Sequence, residues 1–326
     1  MQKLVTFFCC IILLPSCLIQ DYSSYFALPS INECTFSVDP LSGNPIRWTR
    51  SSFPVSFYIN KSVPQDAMDN FIAATNYWNL TWYEYLEDRD LEGPPLFYIV
   101  GGKSREDFDI PPGRSPPKTE QYNVLHFTNN FGSYYEQRAD KTQAVTIVRR
   151  NKDKIIDTDI VVNGFNFEFY YDYHYNEDIR LAYQNKMSLR DLASSRDFTL
   201  LELIQKKLMF FLKKFLRIFS KGSSQRDLAS RRTYVPKNSV DFPSLMIHEL
   251  GHVPGLFHSD DESVKTAIIN AGQASTLHEY YGKNIHSVME TRLATGSSRR
   301  IIGDFDLDNL YCGYYKILNK RQRRSE

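Results

Sequence analysis

The stretch His248-Glu249-Leu250-Gly251-His252-Val253-Pro254-Gly255-Leu256-Phe257-His258 holds three of the chain's seven histidines. Its order is H-E-x-x-H-x-x-G-x-x-H. On a helix, His248 and His252 are four residues apart, so both imidazoles project from one face. Two neutral imidazoles on adjacent turns can bind one tetrahedral zinc ion. Glu249 lies one position round the helix, where its carboxylate can reach a metal-activated water without being a ligand. Gly255 has no Cβ and tolerates positive φ, so the backbone can turn there and return His258 as the third ligand. The fourth position stays open to water, which marks a catalytic rather than a structural zinc site.

These groups need a rigid support. Asp241 or Ser244 is placed to cap the helix, and Leu245, Met246, Ile247 and Leu250 can anchor it in a core. Upstream, residues 55–59 form a β-rich run. Pro64 then precedes a helical pattern with Met68, Phe71, Ile72, Thr75 and Trp78 at three- and four-residue spacings. Residues 96–100, 122–127, 144–149 and 157–163 read as strands, and 104–121, rich in Pro, Asp and Arg, as a surface loop. Asp157 and Asp159 supply too few oxygens for a calcium site, so Ca2+ is not supported and a solvated face is expected. His126, His278 and His286 lack ligand spacing and read as packed or surface residues. Near the C-terminus, Ile302, Phe305 and Leu310 with Asp304 and Asp306 suit a helix whose acidic residues sit at its N-terminal dipole end.

The zinc stretch resembles the metzincin clan of zinc endopeptidases. A second mark of that clan is a Met-containing turn some tens of residues downstream, and Ser287-Val288-Met289 fits it in type and distance. The competing reading of Met289 is a core gap-filler. Ser259, directly after the third histidine, is similar to the matrixin-like branch. The resemblance implies an α+β fold: a twisted, mostly parallel sheet, an active-site helix, a Met-turn and a C-terminal helix. It implies metal ligands His248, His252 and His258, with Glu249 as catalytic base and Met289 as a hydrophobic floor. It also implies that strand 157–163 borders the cleft and offers its edge to an extended substrate. Two departures stand out: Pro254 precedes the motif glycine, and Glu290 follows Met289 with no matching Pro or Tyr.

The N-terminus reads as a targeting segment. Lys3 is followed by an apolar stretch, 4–14, too short to span a bilayer. Leu14-Pro15-Ser16-Cys17 resembles a bacterial lipobox that would lipidate Cys17; plain secretory cleavage and an uncleaved anchor are the alternatives. All three export the chain. Cys34 and Cys312 then remain, either as a disulfide or as two buried thiols. The expected organisation is a signal peptide at 1–16, a tether at 17–45, a catalytic domain at 46–318 with an insertion at about 186–240, and a basic tail at 319–326. Within the insertion, 198–219 is an amphipathic pattern with Lys206, Lys207, Lys213 and Lys214 on its polar face. It could lie on a membrane surface or pack on its own domain. A net charge of +1 gives no global reason to expect a nucleic-acid partner.

The function expected is an exported, membrane-anchored zinc endopeptidase acting on protein or peptide substrates. The alternative is a non-catalytic, surface-anchored binding or membrane-interacting protein on the same scaffold.

Overall fold

Val55, Phe57 and Ile59 are buried while Ser56 and Tyr58 between them are half-buried, the two-residue period of a strand with one face on a core. This strand, β1 (Val55–Ile59), is the first in chain order of the central sheet. A computed structural model describes residues 46–89, 91–100, 122–133, 140–194, 234–259 and 287–318. The leader, Cys17, Cys34, the tether, helix 198–219, His278, His286 and the basic tail lie outside the described residues.

The elements that follow are α1 (Gln65–Glu87), β2 (Phe97–Ile99), β3 (Asn123–Thr128), β4 (Ala144–Asn151) and β5 (Lys154–Asn163). Then come β6 (Phe169–Tyr170), α2 (Tyr173–Ser194), β7 (Val240–Asp241), α3 (Phe242–His252) and α4 (Asp304–Leu318). The class is α+β. The five-stranded sheet has the order β2-β1-β3-β5-β4, with four parallel strands and β4 antiparallel at one edge. Parallel neighbours require crossovers, and α1 provides the one from β1 to β2.

α1 buries Met68, Phe71, Ala74, Trp78 and Trp82, and α3 buries Leu245, Met246, Ile247 and Leu250. Full burial of such large apolar side chains stabilises by roughly 1.5–3 kcal/mol each. That exceeds the ~1 kcal/mol net of a typical hydrogen bond, so packing sets where α3 lies. The short β6–β7 pair, with Phe169 opposite Val240 and Tyr170 opposite Asp241, brings the chain to the start of α3. Phe242, the first residue of α3, then packs among Phe127, Phe169 and Tyr171, with ring centroids 5.2–5.8 Å away.

Two expectations are corrected. Strand 157–163 is not an edge: β5 lies between β3 and β4, because the chain reverses at Lys152–Asp153 and β4 covers its outer side. The edge beside α3 is β4. Asp157 and Asp159 are not solvated: both are buried, and Arg149 of β4 donates to each, to Asp159 Oδ2 at 2.6 Å. Residues 173–194 form a continuous helix, α2, for which no pattern was read in the sequence. Asp172 caps that helix by accepting from Tyr175 N at 3.0 Å, and Tyr175 and Ile179 bury one face.

Candidate metal centre

A helix leaves its last carbonyls without intrahelical partners, and they must be satisfied when buried. At the end of α3 donors come both from the turn that follows and from distant parts of the fold. Ile247 O accepts from Trp78 Nε1 at 2.9 Å, and Gly251 O and His252 O accept from Leu256 N and Gly255 N. Beyond the helix, Val253 O accepts from Trp48 Nε1 at 2.9 Å and Pro254 O from the Tyr314 hydroxyl at 2.6 Å. Pro254 has no N–H to continue the ladder, so α3 stops at His252. Gly255 has φ 104°, a conformation that favours glycine, and the chain turns back through Leu256 to His258.

The N-terminus of α3 is held as firmly. Asp241 caps it, accepting from Ser244 N at 3.3 Å and from the Ser244 hydroxyl. Arg300 donates to both Asp241 oxygens and, through Nη1, to Asp172 Oδ2 at 2.6 Å. One buried guanidinium thus joins the caps of α2 and α3. Burial pushes the Asp172 carboxyl up, but Arg300 and the Tyr175 amide outweigh it and hold it below its usual value.

Three imidazoles meet at the C-terminal end of α3. His252 Nε2 lies 3.2 Å from His248 Nε2 and 3.1 Å from His258 Nε2. The opposite nitrogens are tethered: His248 Nδ1 donates to Val288 O at 2.7 Å and His252 Nδ1 to Leu256 O at 2.9 Å. A carbonyl can only accept, so in these two rings the proton is on Nδ1 and Nε2 carries a lone pair. Burial pushes the His248 pKa down to about 4 and His252 well below its ordinary value, which keeps both neutral.

Lone pairs facing one another at these distances repel unless a cation lies between them. Metal–nitrogen bonds of 2.0–2.1 Å in tetrahedral geometry put neighbouring nitrogens about 3.3 Å apart, close to the separations found. The donor set therefore fits one metal ion held by three imidazoles, and imidazole suits zinc, copper, iron and nickel.

Ser287-Val288-Met289 lies against this cluster. Val288 O orients His248, and Met289 O accepts from Ser259 N, next to His258, at 2.9 Å. The tripeptide is fixed by Asp306 of α4, which accepts from the Ser287 hydroxyl at 2.6 Å and from Val288 N and Gly303 N at 3.1 Å. Burial raises the Asp306 pKa to about 6 against those three hydrogen bonds. Met289 packs on Gly251, where a Cβ would overlap its sulfur. Close approach explains the glycine between the two helical histidines.

Glu249 is buried, and Thr146 Oγ1 of β4 lies 2.6 Å from its Oε2. Burial, partly offset by this hydrogen bond, brings the carboxyl to about 7. Such a group can accept and release a proton near neutral pH.

The structure therefore brings together His248, Glu249, His252, His258 and Met289. His126 stays apart, with Nδ1 3.3 Å from the Ser62 hydroxyl. Cys312 is disulfide-bonded, and its partner lies outside the described residues. Reading along the chain did not find Thr146, Asp306 or Arg300: Asp306 had the look of a helix-dipole acid, and a threonine within a strand carries no mark of contact with a carboxylate. No protein-family model, curated protein or solved structure matches the chain.

Proposed function

We propose that this chain is an exported zinc-dependent endopeptidase of the metzincin clan, matrixin-like in type. The observation that supports it best is the convergence of three imidazole Nε2 atoms, two of them held in the lone-pair tautomer, beside a buried carboxylate that no Lys or Arg neutralises among the described contacts. His248, His252 and His258 would hold the metal, which when bound lowers the pKa of water and polarises a carbonyl.

The protein's own groups do the rest. Val288 O and Leu256 O keep His248 and His252 in the tautomer that presents Nε2. Glu249 takes a proton from water onto its carboxylate as the water oxygen bonds to the scissile carbonyl carbon, and returns that proton to the amine nitrogen as the C–N bond breaks. Met289 fills the space under Gly251 and keeps the ligand-bearing turn dry. An extended protein or peptide substrate pairs with the open side of β4. The leader at 1–16 sends the chain out of the cytoplasm, and Cys17 anchors it in a bacterial envelope membrane, with 198–219 a further candidate contact.

Purified mature protein is expected to contain about one zinc per chain and to cleave an unfolded protein substrate. Glu249→Gln should keep the metal and lose the cleavage. Cleavage that survives this substitution would sink the mechanism, and absence of stoichiometric zinc would sink the site. Cys17→Ala is expected to release the protein from the membrane fraction; unchanged anchoring would remove the lipid assignment.

A further inference from the structure

The antiparallel edge strand carries a residue that faces both ways. Asn163 N donates to Gln143 O at 2.9 Å, which makes these two directly opposed residues a hydrogen-bonded pair. The register runs without interruption from Ala144 opposite Val162 to Arg149 opposite Asp157. Hydrogen-bonded pairs alternate, so Val145 and Ile147 face β5 with their main chain, and Ala144, Thr146 and Val148 turn theirs to the open side. An independent contact agrees. Thr158 N, on the opposite strand, points away from β4 and donates to Asn123 Oδ1 of β3 at 2.8 Å.

Thr146 thus presents its N–H and C=O to the free edge of the sheet, where β4 has no strand partner among the described residues. Its hydroxyl lies 2.6 Å from Glu249 Oε2 and 3.1 Å from Glu249 O. A hydroxyl has one proton, and the shorter bond goes to the carboxylate. That bond engages one carboxylate oxygen and leaves Oε1 available for proton transfer.

We propose that Thr146 is a positioning residue that links an extended substrate docked on the β4 edge to the orientation of the Glu249 carboxylate. The proposal rests on the peptidase reading and adds to it a device by which the strand that binds the peptide also aims the base. A charge-assisted hydrogen bond of this kind is expected to affect the rate through Glu249. It should leave substrate affinity nearly unchanged, because the main chain of β4 is intact in any Thr146 variant.

The test compares zinc-loaded wild type, Thr146→Val, Thr146→Ser and Glu249→Gln on one peptide substrate. Thr146→Val should lower kcat roughly 10- to 100-fold with KM little changed and zinc content intact. Thr146→Ser, which restores the hydroxyl, should recover most of kcat. Equal kcat in Thr146→Val and wild type would overturn the proposal, as would equal losses in the Val and Ser variants, which would mean packing alone. A second readout needs no turnover: in thermal unfolding, the shifts caused by Thr146→Val and Glu249→Ala should fail to sum in the double variant. Additive shifts would overturn the contact. A wild type no faster than Glu249→Gln would sink the peptidase reading itself, and the positioning role with it. Failure of the proposal alone would show as an active wild type with an equally active Thr146→Val.

Discussion

Two buried polar clusters flank α3, and they are built on opposite plans. At its N-terminus, Arg300 sits between Asp172 and Asp241, so each charge faces its complement. At its C-terminus, His248, His252 and His258 face one another through their Nε2 atoms, and in His248 and His252 both of these are acceptors. The first cluster is complete within the protein. The second has the donor set to hold one metal ion. A buried polar cluster that satisfies itself serves the fold, whereas one whose members repel calls for a ligand.

The contrast can be broken at either end. Glu249→Gln, next to the like-facing cluster, should lower peptide hydrolysis about 10²- to 10⁴-fold while the unfolding midpoint changes little, as read by steady-state kinetics beside a melting curve. Arg300→Ala should do the reverse. It leaves two buried carboxylates without their partner and should cost about 3–5 kcal/mol of stability in denaturant unfolding. Any loss of activity should follow the loss of folded protein. If Arg300→Ala were as stable as wild type, the self-satisfied reading of that end would fail.

A smaller effect is expected where helix and Met289 meet. Gly251→Ala places a methyl group on the Met289 sulfur and should destabilise by about 1–3 kcal/mol, with weaker zinc retention against a chelator. Gly251→Ala combined with Met289→Ala should recover part of that loss if the overlap is its cause.

The smallest effect belongs to the second charge cluster, Arg149 with Asp157 and Asp159. Burial and the neighbouring Asp159 raise Asp157 to about 6, despite Arg149. A carboxyl raised in the folded state binds its proton more tightly there than in the unfolded chain. Its stabilising contribution is therefore full below the unfolded pKa and is lost as pH rises through about 6. Asp157→Asn removes this dependence, so wild type should lose stability relative to the variant between about pH 4 and 6. A pH-independent difference between the two would show that Asp157 does not titrate in this range.

Much of the candidate metal centre is legible in the linear chain because it is local. Helical periodicity alone puts His248 and His252 on one face with Glu249 beside them, and the need for positive φ singles out Gly255. The alternation in 55–59 and the three- and four-residue spacing from Met68 to Trp78 likewise mark elements whose burial pattern is a property of their own residues. The helix from Tyr173 was missed because its buried face rests on few residues, Tyr175 and Ile179 among them, within a mostly polar stretch.

What only the tertiary structure decided involves partners far apart in the chain. Val288 orients His248 from 40 positions away, and Thr146 reaches Glu249 across 103. An aspartate reads the same along the chain whether water solvates it or a distant arginine neutralises it, so the burial of Asp157, Asp159 and Asp241 and the clamp made by Asp306 carry no local signature. The edge of the sheet was likewise decided by pairing: β4 folding back over β5 moved the open side from 157–163 to Thr146 and its neighbours. Sequence determined which groups could do the chemistry, because helix geometry acts over a few residues. The fold decided what holds and aims them, because packing brings together side chains whose types alone do not name their partners.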